Sequence, residues 1–179
     1  MRLALVLAVL LMPAALAAPA RPPLDTLFEQ LRRADSPEAA KPIEEKIGGI
    51  FLASGSPTVS LLMSRASAAQ GAGDKDTARK LLEAVTGIAP DYAEGWHARA
   101  NFQRATGDDA GALASLQRVI LLNPRQFAAM YELGNMLEDY GNKAGALKLY
   151  LKALELNPQL DGARRHVDAL TRDEKGQDI

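Results

Sequence analysis

The chain has 179 residues, 21 Lys and Arg against 22 Asp and Glu, a formal net charge of −1 and no cysteine. The near-neutral balance and the lack of any long polybasic run remove the electrostatic case for binding nucleic acid. The missing cysteine excludes disulfides, thiolate metal sites, a cysteine nucleophile and a lipid-modified N-terminal cysteine, so an exported form must be held by packing alone.

The chain begins MRLALVLAVLLMPAALAAPA: one Arg, an apolar run from Leu3 to Leu11, then Pro13 and small residues. That order predicts a secretory signal peptide over residues 1–17, with Ala15-Leu16-Ala17 as the A-x-A cleavage signal and Ala18-Pro19-Ala20 as the second site. The expected location is periplasmic or secreted. The alternative is an uncleaved leader that anchors the chain in the inner membrane facing the periplasm, since the apolar run extended through Ala18 just reaches across a bilayer. Residues 18–23 form a proline-rich linker.

From Leu24 onward the apolar spacing is helical and no window alternates as a strand does. Residues 24–58 are expected to form a helix pair, with breaks at Asp35-Ser36-Pro37 and near Gly55 to Pro57. Three rows of 34 residues follow without insertion, 59–92, 93–126 and 127–160. They end at Pro90, Pro124 and Pro158. Small residues share one column (Ala66, Ala100, Gly134) and another (Ala78, Ala112, Ala146). Larger ones share two more (Leu82, Leu116, Tyr150; Val85, Val119, Ala153). Two antiparallel helices approach closely only where facing residues are small, and a row-end proline stops the second helix. Gly73, Gly107 and Gly141 supply the left-handed turn between the helices. Residues 161–172 are expected as an amphipathic capping helix with Val167 and Leu170 on its apolar face, and 173–179 as a tail.

Leu133-Gly134, Ala146, Tyr150, Ala153 and Pro158 in the third row, with Trp96, Ala100, Ala112, Leu116 and Pro124 in the second, resemble the tetratricopeptide repeat. The first row keeps Leu62, Ala66, Ala78, Leu82 and Pro90. The resemblance implies an all-α, right-handed superhelical solenoid of helix hairpins, with residues 24–58 as a degenerate N-terminal repeat completing the stack. The second row departs at Arg99, where an apolar residue is usual, and at Gln103, where an aromatic is common, with Phe102 placed to fill the gap. Leader, N-terminal segments and repeats together also resemble small exported repeat proteins of alphaproteobacteria, a likeness that names no reaction.

No catalytic set emerges. His97 and His166 stand on different predicted helices, and no HExxH or comparable metal spacing occurs, so no metal and no cofactor are expected. GAGDKD, residues 71–76, lacks the features of a phosphate or calcium loop and falls at an inter-helix turn. Asp108-Asp109 reads as a turn and cap, and Arg164-Arg165-His166 as a solvated stretch of the capping helix.

Binding is the remaining expectation. In tetratricopeptide arrays the first helix of each repeat lines the concave face, and the resemblance carries its contact positions onto Ser60, Met63, Ser67 and Gln70, onto Glu94, His97, Asn101 and Arg104, and onto Ala128, Tyr131, Asn135 and Glu138. Spacings of three and four keep each set on one helical stripe. Asn101 and Asn135 occupy the same row position, where a side-chain amide can donate to and accept from the backbone of an extended peptide, or pack and cap locally. The lysines with which chaperone-associated relatives clamp a C-terminal carboxylate are missing. The expected partner is a protein or peptide segment, with self-association through repeat edges or the convex face as the alternative.

Overall fold

The structure is a computed structural model that describes residues 23–177, with side chains through Arg172. The leader, nearly all of the linker and the last two residues lie outside the described residues. Among the described residues there are helices and no strands: α1 (Leu24–Arg33), α2 (Pro37–Phe51), α3 (Pro57–Gly71), α4 (Lys75–Ile88), α5 (Ala93–Thr106), α6 (Asp109–Leu122), α7 (Phe127–Asp139), α8 (Lys143–Leu156) and α9 (Asp161–Gln177). The helix pairs α3–α4, α5–α6 and α7–α8 coincide with the three rows. Helix α9 continues over residues 173–177, where a tail was expected.

Local chemistry sets the helix starts. Asp74, Asp108 and Asn142 occupy one row position, and each side chain accepts from the backbone N–H three residues on, at Thr77, Gly111 and Gly145. These caps satisfy amides that the first turn leaves free. Gly107, at φ 83°, ends α5 in the left-handed conformation that an L side chain adopts only with strain, and Gly73 and Gly141 do the same work in the other two turns. Pro57 opens α3 behind the Ser56 cap instead of closing α2, which accounts for its position one residue off the 34-residue register.

The row columns form the interior. Ala78, Val85, Ala100, Ala112, Leu116, Val119, Ala146, Tyr150 and Ala153 are wholly inaccessible, and Ala66 and Leu82 nearly so. At Gly134 the reason for the small residue is direct, because a Cβ there would lie 2.5 Å from the Tyr150 ring. The departures in the second row also resolve. Phe102 packs with Ala66, Ala78 and Leu82 toward the first repeat. Gln103 is buried and tied to Ser115 Oγ at 2.6 Å and Asp108 Oδ2 at 2.9 Å. The Arg99 guanidinium reaches Thr86 Oγ1 at 3.1 Å and lies over the Trp96 ring. With no apolar filler at either position, a cleft of about 430 Å³ separates α4 from α5, lined by Lys75, Arg79, Leu82, Glu83, Arg99 and Phe102 among others.

The N-terminal pair corrects one expectation. Helices α1 and α2 form a hairpin, but it does not continue the stack in front of the first repeat. It folds back so that α1 packs on α8. Leu27, Phe28 and Leu31 share a core with Ile47, Phe127, Met130 and Ala153. The Arg125 guanidinium sits 3.9 Å from the Phe28 ring centroid and 2.5 Å from Asp25, 100 residues away in sequence. Gln159 donates to the Ala34 carbonyl at 2.7 Å, and Asn157, itself fully buried, donates to Glu44 at 2.5 Å. The physical reason is the face of α1. Leu24, Leu27, Phe28 and Leu31 form a continuous apolar stripe, which Phe127, Met130 and Ala153 of the third repeat bury.

Candidate interaction surface

The stripe of contact positions expected from the resemblance divides into three stretches with different surroundings. On α3, Ser67 and Gln70 are exposed and Met63 is half-buried against the first-repeat core. Ser60 meets Ser54 Oγ at 2.9 Å. On α5, Asn101 and Arg104 are exposed, and neither side chain makes a hydrogen bond or ion pair with the described residues. They stand one turn apart, offering an amide and a guanidinium to solvent.

At the start of α5 the stripe is buried. Glu94 is enclosed and accepts from the Gln126 side chain. His97 lies between two carboxylates, its Nδ1 3.4 Å from Glu94 and its Nε2 3.1 Å from Glu132. Burial lowers the affinity of this imidazole for its proton. The hydrogen bonds and charges of Glu132 and Glu94 outweigh that and raise the pKa to about 9. His97 is therefore an imidazolium that donates from both nitrogens at neutral pH. Helix α2 closes over it, and Ile47, Phe51, Glu94, His97, Phe127 and Ala128 line a mostly apolar recess of about 380 Å³.

On α7 the stripe is engaged by the chain's own last helix. Tyr150 OH stands 2.8 Å from both Asn135 Oδ1 and Glu138 Oε2, and His166 Nδ1 lies 2.8 Å from the same Glu138 oxygen. The His166 ring stacks on Tyr150 with centroids 4.9 Å apart, and Tyr131 packs against both rings. Burial, followed by the Glu138 carboxylate, holds the Tyr150 phenol protonated well above the ordinary tyrosine range. A single phenolic proton serves one acceptor at a time, so Asn135 and Glu138 share it.

The resemblance supplied the stripe, and the residues packed against it were not foreseen. His166, read as solvated, is half-buried in the α7–α8–α9 junction, whereas Arg164 and Arg165 are exposed as expected. The signal was present: Ala163, His166, Val167 and Leu170 follow the i, i+3, i+4, i+7 spacing of one buried face. Glu132 was missed because the transferred contact positions skip it, although it follows Tyr131 directly and lies 35 residues after His97. Among the described residues no group of three or more His, Asp or Glu has the arrangement of a metal site, and no helix is long and apolar enough to cross a membrane.

Hairpins of 34-residue period, a left-handed glycine in each inter-helix turn and a small-residue contact at Gly134 define the tetratricopeptide-repeat solenoid as the class of fold. Residues 127–160 match the family model described as tetratricopeptide repeat. A TPR repeat-containing protein of Rhizobium etli is 39% identical over 77 residues, 43% of this chain and 38% of that protein. The match thus spans little more than a third of that relative. Among solved structures, the Sgt2 TPR domain from Aspergillus fumigatus aligns at TM-score 0.59 and 23% identity, over 69% of this chain and 83% of that one. The Yersinia enterocolitica type III secretion chaperone SycD, in complex with a peptide of the translocator YopD, aligns at TM-score 0.60 and 17% identity, over 66% of this chain and 96% of that one. At these identities the two structures bear on fold alone.

Proposed function

We propose that this protein is a non-catalytic adaptor of the cell envelope that binds an extended segment of a partner protein on the concave face of its repeats. The observation that carries the reading is the pair Asn101 and Arg104, exposed one turn apart on the expected concave stripe with no side-chain partner among the described residues. Exposed Ser67 and Gln70 lie on the neighbouring helix α3 and extend the same polar surface. An amide paired with a guanidinium suits a peptide backbone and a carboxylate, because the amide both donates and accepts while the guanidinium donates in a fork. Tyr131 and Glu138 are covered by α9 and Asn135 is held by Tyr150 of α8, so in this reading the partner lies across α3 and α5.

SycD, whose solved structure holds a peptide, supports peptide capture as a use of this fold. The leader at residues 1–17 supports export to the periplasm, with the membrane-anchored form as the alternative. In-cell crosslinking and recovery of the protein from an envelope fraction tests the reading. Asn101→Ala with Arg104→Ala is expected to lose the recovered partner, while Arg165→Ala, an exposed change on α9, retains it. Equal recovery from both variants would overturn the concave assignment. N-terminal mass analysis of the exported protein tests the leader, with Ala18 expected as the first residue.

A further inference from the structure

The hairpin α1–α2 is held by residues roughly a hundred positions further along the chain. Its contacts run to Arg125, Phe127, Met130, Ala153, Asn157 and Gln159. It joins the repeats through residues 52–56, a connection of roughly 17 Å when extended. That connection is shaped by Gly55 at φ 69° and by the Ser54 hydroxyl, which accepts from Ser56 N–H and donates to the Ser56 carbonyl. Leu27, Phe28 and Leu31 are wholly buried in the docked state, so an undocked hairpin would present one continuous apolar face to water. None of these contacts depends on which copy of the chain supplies the hairpin. The hairpin lies N-terminal to every repeat, so it can leave without threading the solenoid.

We infer that α1–α2 is an exchangeable element: in a second copy of this chain it docks on the same α7–α8 surface, so two molecules associate by trading hairpins. The bonds of the exchanged pair are those already described, including Asp25 to Arg125, Glu44 to Asn157 and the Phe28 ring beneath the Arg125 guanidinium. The connection then straightens, and the turn at Gly55 is released. Exchange of an identical element is a low-cost route to a dimer, here opposed only by the local turn at Gly55 and the Ser54–Ser56 hydrogen bonds. This inference does not rest on the concave reading, because it uses none of Ser67, Gln70, Asn101 and Arg104, although an undocked α2 would also uncover the recess at His97.

The absence of cysteine makes the test clean. Full chains carrying Asp25→Cys alone and Arg125→Cys alone are mixed at high concentration, warmed, cooled and treated with a short bismaleimide. A covalent dimer joined through residues 25 and 125 is expected, at least fivefold above the yield from Asp25→Cys mixed with Lys75→Cys on the turn before α4. Gly55→Val, which cannot hold a φ near 69° without strain, is expected to raise the yield further. Far-ultraviolet circular dichroism confirms that each variant keeps its helices. Should Arg125→Cys unfold, Ala34→Cys with Gln159→Cys gives the same reading at the second contact. A yield no higher than the control pair, or full intrachain joining in the Asp25→Cys, Arg125→Cys double variant with none between chains, would overturn the inference.

Discussion

The first and third repeats share a register and differ in company. The pair α7–α8 is packed on one side by α1 and on the other by α9, so that Tyr150 and Ala153 are sealed from solvent. The pair α3–α4 packs on α5, and Leu61 and Ile88 are each more than half exposed. In a solenoid a repeat's stability is the sum of its own hairpin and its interfaces, so equal signatures do not give equal strength. Hydrogen exchange should accordingly proceed faster in α3 than in α8, and equal protection would break the comparison.

Substitutions can sharpen it, beginning with the largest effect. Tyr150→Ala should cost about 3–5 kcal/mol in urea unfolding, as for truncation of a buried aromatic. The same change at Leu82, its column partner in the first repeat, should fall toward the lower part of the 2–5 kcal/mol range because its surroundings can relax into an open edge. Next is His97→Gln, which removes a buried imidazolium donating to Glu94 and Glu132, a loss of roughly 1.5–3 kcal/mol at pH 6. Because folding raises the His97 pKa from 6.5 to about 9, its contribution is complete below pH 6.5 and disappears as pH rises through 9. The gap between wild type and variant should therefore close toward alkaline pH, and a gap independent of pH would dismiss the ion pairs as its source.

Gly134→Ala pits helix propensity against space. The new methyl would gain about 1 kcal/mol in propensity yet press on the Tyr150 ring, so a net loss of about 1–2 kcal/mol is expected. At Ala100, the same column one repeat earlier, the reverse change to Gly should also destabilise, by about 1 kcal/mol, since alanine is already accommodated there. The smallest effect belongs to Arg165→Ala. Its ion pair with Asp161 is exposed, and a change under about 0.5 kcal/mol should be measured.

What the sequence made legible was periodic. The 34-residue register located α3 through α8, because each row carries its own cap, turn glycine and small-residue contact, all within a few residues of one another. What escaped depends on contacts across the chain. The spacing of Leu24, Leu27, Phe28 and Leu31 announces an apolar face but not what lies opposite it. Nothing near Asp25 indicates Arg125, 100 residues on. The α9 cover over Tyr131 and Glu138 escaped because Arg164-Arg165-His166 was weighed as a solvated basic cluster, although its third member belongs to the buried spacing. Arg99 and Gln103 were noticed as departures. The cleft they leave follows from polar side chains that bond sideways to Thr86, Ser115 and Asp108 instead of filling the space between repeats.

Asn123 and Asn157 precede their prolines in the same motif, and each side chain accepts from the backbone two residues ahead. Only Asn157 also reaches the returning hairpin. A stack of like units has no natural end, and duplication of a unit usually passes without penalty. Here the first helix must meet the last hairpin across a fixed span, as a clasp meets its catch. The contact between α1 and α8 thus ties the start of the described chain to its third repeat, a constraint that repetition alone does not impose.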